Sequence, residues 1–493
     1  MIKALKLSCS RNVVLSLLTT SLLFSSVFAK NYYISNTKGT SSNNGLSPQT
    51  PIASIQDAVD KTVPGDTVFI MSGTYNPSCS DCDAITISNS GTNDKWIVIK
   101  NYLSDKPVLK FKGWNGILFD NNASYIEING LTIQGNSANI KLNDALNQPG
   151  GCNNLSGKIS GVYNGCGISI SGTTGRPYHH ITIKNCTIFD CPGAGISVTK
   201  SDYITIENNF IYNNCWYTAY GESGITLFQS QNFDSKDGYH CVITGNKLYG
   251  NRLYVPWFDA PCAITDGNGI IIDQSIEGGY KAKILIAFNI VVNNGGAGIL
   301  SYHSENIDIV NNTAYLNQQS AELDEGEILA TRSNNINIYN NILYSSASKN
   351  INSNYGNTNI KYDYNLHFGG TKKELTGSHV VNADPVFLKP GNDLQTADFS
   401  LSTKSPALLK GVILSSVLGQ LPFKELSRNP DIGAVQSLVA GTVNAHTLNK
   451  IAGKKQSLQI IKNNLVINNG LSMYSIKGSR ITNANHKKAG LKK

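Results

Sequence analysis

Ile181-Thr-Ile-Lys-Asn185-Cys186-Thr-Ile188 is followed by Ile204-Thr-Ile-Glu-Asn208-Asn209-Phe-Ile211. The phrase returns as Ile284-Leu-Ile-Ala-Phe-Asn289-Ile-Val-Val292, Ile307-Asp-Ile-Val-Asn311-Asn312-Thr-Ala314 and Ile336-Asn-Ile-Tyr-Asn340-Asn341-Ile-Leu343. Asn185 to Asn208 is 23 residues and Asn289 to Asn311 is 22, a period that suits one turn of a β-solenoid and is too short for a pair of helices. Apolar residues alternate within each phrase, so one face of every short strand points inward and the other meets solvent. Asparagine at the corner tolerates left-handed backbone, and its amide can bond the equivalent amide one coil above. The glycine steps Gly193-Ala-Gly195, Ser223-Gly224, Asn268-Gly269 and Gly295-Gly296-Ala-Gly298 mark the next corner and lead into another strand.

Working outward, residues 1–29 read as an export signal: Lys3, Lys6 and Arg11, an apolar run from Val13 to Phe28, and small residues ending at Ala29. No other stretch is apolar enough to span a bilayer. The expectation is a bacterial protein that is secreted or held at the cell surface as a monomer, without a membrane span. Net charge is +8, yet ten Lys or Arg and no Asp or Glu lie in residues 437–493, and the body from 30 to 436 is net −5. That balance gives no reason to expect nucleic acid as a partner, and solvent-facing carboxylates suit a hard cation instead.

Ten cysteines become nine once Cys9 leaves with the signal. Cys166, Cys191, Cys215 and Cys241 are spaced by 25, 24 and 26 residues, close to the coil period, which fits either disulfides between coils or stacked buried thiols. Cys79-Ser-Asp-Cys82 fits a local disulfide; no second pair follows to complete a zinc site.

At the entry, Ser54-Ile-Gln-Asp57 reads as a capping box opening a short helix with Ile55, Ala58 and Val59 on one face. Such a helix covers the open end of a solenoid. Aligning the strands after the glycine steps on Ile196, Ile225, Ile270, Ile299 and Ile328 stacks Lys200, Gln229, Gln274, His303 and Arg332 in one row. Thr199, Phe228, Asp273, Tyr302 and Thr331 stack beside them, with Glu222, Asp266, Asp324 and Glu325 just ahead of the strands. Polar groups from separate coils then share one wall, as an elongated sugar site requires. Trp216, Tyr217, Tyr220, Tyr254, Trp257 and Phe258 lie in long insertions that either wall a cleft or pack as a satellite core. Tyr302, Trp257, Tyr254 and Gln274 are the expected substrate contacts.

Tyr32-Tyr33-Ile34-Ser35, Gly45-Leu46-Ser-Pro48, Pro64-Gly65-Asp66-Thr67-Val68 and Gly73-Thr74-Tyr75 resemble the opening of secreted right-handed parallel β-helix proteins. The nearest such enzymes are the pectate lyases of polysaccharide lyase family nine. Asn382-Ala383-Asp384-Pro385, Asp398-Phe399-Ser-Leu401, Ser405-Pro406-Ala407 and Asp431-Ile432-Gly433-Ala434 resemble the terminal coils and cap of that superfamily. The resemblance spans residues 31–436. Segments from Leu458 to Arg480 resemble a C-terminal sorting segment, though a solvated basic tail fits them as well.

The resemblance implies an all-β right-handed parallel β-helix of about fourteen coils or fewer. It also implies cleavage of an acidic polysaccharide by β-elimination, with Ca²⁺ held by aspartates and a lysine that removes the proton beside the uronate carboxylate. Asp266 and Asp273, with Asp259, Asp237 or Glu222, are the implied calcium ligands; Lys281, Lys283 and Lys200 are the candidate bases. The family's double aspartate is single here, in Asp266-Gly-Asn-Gly269, a pattern that also suits a plain turn. His303 could act as acid or base or simply be solvated, and Arg332 could hold a carboxylate or pair with Glu325 or Glu327. Two other readings stay open: a glycoside hydrolase using Asp266 with Asp273 or Glu222, and a noncatalytic glycan-binding surface protein. A lyase needs an unpaired lysine beside the acidic cluster, a hydrolase a carboxyl pair without it, and a binder neither.

Overall fold

The structure is a computed structural model that describes residues 29–77, 82–259, 261–414 and 429–437, and strands between 457 and 481. Among the described residues, three parallel sheets of eleven, nine and eleven strands run the length of the body, and each coil contributes one strand to each sheet in turn. Register follows the sequence phrases. Ile196, Ile225, Ile270, Ile299 and Ile328 are direct neighbours from strand to strand and are fully buried. Each such isoleucine contributes about 1.5–3 kcal/mol through burial. A slip of one residue would turn the whole column outward, so the register is strongly specified.

The asparagine pairs divide two tasks that the sequence assigned to one residue. The first member takes the left-handed corner, with φ near 55° at Asn185, Asn208, Asn311 and Asn340, a place Phe288 fills in another coil. The second turns inward and builds a ladder: Asn209 donates to Asn246, Asn246 to Asn289, Asn289 to Asn312, Asn312 to Asn341 and Asn341 to Asn365, each at 3.0 Å. A second ladder, not foreseen, runs Asn214, Asn251, Asn294, Asn317 and ends on Glu327.

The glycine column works by close approach. A Cβ on Gly195, Gly224 or Gly269 would sit 2.7–2.8 Å from the carbonyl oxygen of the glycine one coil on, while φ is in the left-handed region at Gly267. The helix Ile55–Val59 forms as expected, with the Ser54 hydroxyl accepting from Asp57 N and Ile55, Ala58 and Val59 buried.

One expectation changes, and the coil count falls within the expected limit. The segment with Phe387, Leu394, Phe399, Ala407 and Ile432 runs along the outside of the third sheet, on Tyr249, Ile290, Val292, Tyr315 and Ile342, because those strands carry apolar residues on both faces. The body has about eleven coils, since insertions lengthen several: successive ladder asparagines are 37 and 43 residues apart where the loops are long, and 23 where they are short.

Cys166, Cys186, Cys191, Cys215 and Cys241 are buried free thiols, so stacked small side chains, and not disulfides, fill the core there. Cys152 and Cys262 form a disulfide that ties two insertions together. Residues 1–28, covering nearly all of the expected signal, and Cys79 lie outside the described residues. Four antiparallel strands lie in the tail at Ser457–Ile461, Asn464–Asn468, Met473–Ser475 and Arg480–Ile481. Among the described residues no helix is long and apolar enough to cross a membrane.

Asn312→Ala removes the acceptor of Asn289 and the donor to Asn341 and Ile286 O. At about 1–3 kcal/mol for each buried polar group left unpaired, urea unfolding should show a loss of roughly 3 kcal/mol or more; an unchanged midpoint would mean the ladder is not holding the coils.

Candidate functional site

The outer face of the nine-stranded sheet carries the predicted rows. Lys200, Gln229, Gln274, His303 and Arg332 all take left-handed backbone, with φ between 42° and 53°, at the corner where the strands end. Beside them Phe228, Asp273 and Tyr302 are cross-strand neighbours on three successive coils. The row is largely engaged by neighbouring side chains. Gln229 donates to Gln274 at 3.1 Å, His303 contacts Glu277, and Arg332 reaches Tyr302 and lies over the Tyr355 ring, not on Glu325 or Glu327.

Asp273 differs from that row. Its Oδ1 is buried without a hydrogen-bond partner. Burial first, then the charges of Asp266 and Glu277, push its carboxyl up to about 7. Asp266, ahead of the same strand, accepts from Thr265 Oγ1 at 2.7 Å and Asn268 Nδ2 at 3.3 Å; burial raises it to about 6. Glu222, one coil back, accepts from Ala194 N at 2.8 Å and Cys166 Sγ at 3.2 Å. Burial and then Asp266 raise it to about 7, against those hydrogen bonds. Three carboxyl groups on two coils are thus electrostatically linked and change protonation close to neutral pH.

The other expected residues lie apart from this group. Lys281 pairs with Glu305 and Lys283 lies over the Tyr239 ring, both at the sheet that follows the corner. Lys200 stays on the corner row, donating to the uncharged Thr174 Oγ1 at 3.2 Å. Asp237 and Asp259 are exposed on loops. Among the described residues, no three carboxylate, histidine or cysteine side chains come close enough to share one ion. As placed, Asp266, Asp273, Glu222, Asp237 and Asp259 do not fit a calcium cage.

The insertions supply walls. Tyr217 packs in a satellite core with Ala145, Ala219 and Val255. Tyr220 and Phe258 share a cavity of about 520 Å³ with Trp114 and Lys158. Trp257 is held by its backbone to Ala263 and, like Tyr254, lies off the Asp273 row. Sequence reasoning passed over a polar network on the neighbouring sheet: Asp202 accepts from Tyr280, contacts His240 and takes the Phe233 amide, while Tyr203 links His240 to Asp234. Every member has a partner there, as a buried structural network requires.

The three stacked parallel sheets make the body a right-handed β-helix, with Asp273 on its outer nine-stranded face. A model of the Pel9A-like right-handed β-helix region matches residues 32–341, and the chain belongs to that family, as its opening motifs implied. Similar solved structures include pectate lyase Pel9A, at 17% identity over 83% of this chain and 97% of that one, TM-score 0.46. A lacto-N-biosidase from Eubacterium ramulus is 16% identical over 69% and 56%, TM-score 0.38. A rhamnogalacturonan lyase is 13% identical over 76% and 97%, TM-score 0.36. No curated protein matches the chain.

The raised carboxyl groups bear on stability. A folded pKa above the unfolded value means that the contribution is fully present below about pH 4 and is lost as pH rises through 6 to 7. Asp273→Asn should therefore stabilise the protein by on the order of 2 kcal/mol at pH 8 and by little at pH 4. Thermal melts at the two pH values test this; an equal shift at both would contradict it.

Proposed function

We propose that this protein is exported and cleaves glycosidic bonds of an acidic polysaccharide on the outer face of the nine-stranded sheet, with carboxyl groups moving the protons. The observation that supports it best is Asp273: a carboxyl with a buried, unpartnered oxygen, raised to about 7 and flanked in register by Phe228 and Tyr302. Departure of a glycosidic oxygen needs a proton donor that is still protonated near neutral pH, which a desolvated carboxyl provides. Asp266, linked to it through charge, or Glu222, linked in turn to Asp266, takes the complementary ionised role. The neighbouring aromatic rings offer flat apolar surface to a sugar face.

This arrangement favours hydrolysis by a carboxyl pair. The second reading is β-elimination at a uronate, which family membership favours. Its base would be Lys200, which has no carboxylate partner among the described residues, whereas Lys281 is bound to Glu305. Neutralisation of the uronate would fall to a protonated carboxyl or a cationic side chain.

Purified protein on polygalacturonate and alginate should release reducing ends, with Asp273→Asn lowering the rate by ~100-fold or more. Because the acid form is required, the rate should fall as pH rises above about 7. Release accompanied by the ultraviolet absorbance of unsaturated uronates and abolished in Lys200→Ala would move the assignment to elimination. No cleavage of either polymer or of neutral glycans would sink the enzymatic reading and leave a binding protein.

A further inference from the structure

Beside the acidic cluster lies a pocket of about 140 Å³ formed by Arg252, Trp216, Tyr254, Asn213, Asn293 and Gln319. We propose that it is an anion-recognition subsite that takes the negatively charged group of a sugar on the Arg252 guanidinium. Arg252 follows Asn251 of the second ladder, and its own amide donates to Asn214 O at 3.0 Å. Its stem is confined on two sides: a Cβ on Gly295 would come within 2.7 Å of Arg252 Cγ, and one on Gly267, next to Asp266, within 2.9 Å of Arg252 Cα. The head group lies 4.9 Å from the Tyr254 ring centre. Tyr254 meets Trp216 edge to face at 5.9 Å, and the indole is fixed by its Nε1 donating to Gly250 O at 2.9 Å.

Despite this fixed position, the guanidinium has no ion pair or hydrogen bond to any described residue, and its Nε is buried without a partner. A buried donor left unpaired is unfavourable, and a structure that keeps one beside an open pocket has an acceptor to offer it from outside. The planar guanidinium fits a carboxylate or sulfate with two parallel hydrogen bonds, and the Trp216 and Tyr254 rings give the attached sugar a surface to pack on. Asn213, Asn293 and Gln319 add neutral amides suited to hydroxyl groups. The site depends on the glycan reading above only for the kind of molecule that carries the anion.

Trp216 provides the readout. Full-length protein carrying Asp273→Asn, so that binding is followed without turnover, is titrated with tetragalacturonate, with its carboxyl-reduced neutral counterpart and with a sulfated chondroitin tetrasaccharide, and tryptophan fluorescence is recorded. The expected result is that at least one anionic saccharide binds, that the neutral counterpart binds at least ~10-fold more weakly, and that Arg252→Gln abolishes this preference while Arg252→Lys retains part of it. The tetragalacturonate and sulfated arms identify which anion is taken. Equal binding of charged and neutral saccharides, unchanged binding in Arg252→Gln that melts like its parent, or no binding of any saccharide would overturn the proposal. Saccharide preference lost in Arg252→Gln while Asp273→Asn alone shows no cleavage defect would count against the catalytic assignment alone.

Discussion

Everything on the surface of this molecule depends on buried side-chain amides holding one coil in register with the next. A solenoid corner leaves backbone groups without strand partners, and water does not reach them in the interior. Each inward asparagine accepts from the backbone and amide of its neighbour and donates to a carbonyl of the coil before, as Asn289 does with Asn246 and Ile243. Because one residue type repeats this from Asn209 to Asn365, the coils stay in register even where insertions of very different length separate them.

That regularity makes the outer face a set of straight columns, and function follows from where a column is interrupted. Along the corner row, the polar side chains have partners on their own or neighbouring coils. At Asp273 the column brings a carboxyl between Phe228 and Tyr302 with no donor to meet its buried oxygen, and the carboxyl groups of Asp266 and Glu277 lie close enough to oppose its ionisation. Arg252 follows Asn251, a middle rung of the second ladder, and among the described residues no acidic side chain pairs with its guanidinium. The two proposed sites together would complement a polymer with both glycosidic oxygens and negative charge.

The fold was legible because its signals are periodic. The alignment on Ile196, Ile225, Ile270, Ile299 and Ile328, the capping helix and the left-handed asparagine corners all follow from residue type and spacing, which register enforces. The site was half legible. Spacing placed Asp273 between Phe228 and Tyr302, but it could not show that its oxygen lacks a donor, since that depends on side chains from other coils. Lys281 and Lys283 looked near in sequence, yet the corner after Gln274 carries them to the next sheet. Arg252 was missed because it belongs to an insertion with no repeat to align it, and its signal is the absence of an acidic partner in space. Cys152 and Cys262, 110 residues apart, likewise have no periodic relation to reveal their pairing.

The claim at the centre of this account is that sugar lies across the outer face of the nine-stranded sheet at Asp273. The most direct measurement is a crystal structure of Asp273→Asn soaked with tetragalacturonate. The account predicts a sugar ring against Phe228 or Tyr302 with a glycosidic oxygen within hydrogen-bond reach of residue 273. An oligosaccharide seated only elsewhere, for example in the cavity beside Trp114, with the Asp273 face bare, would contradict it.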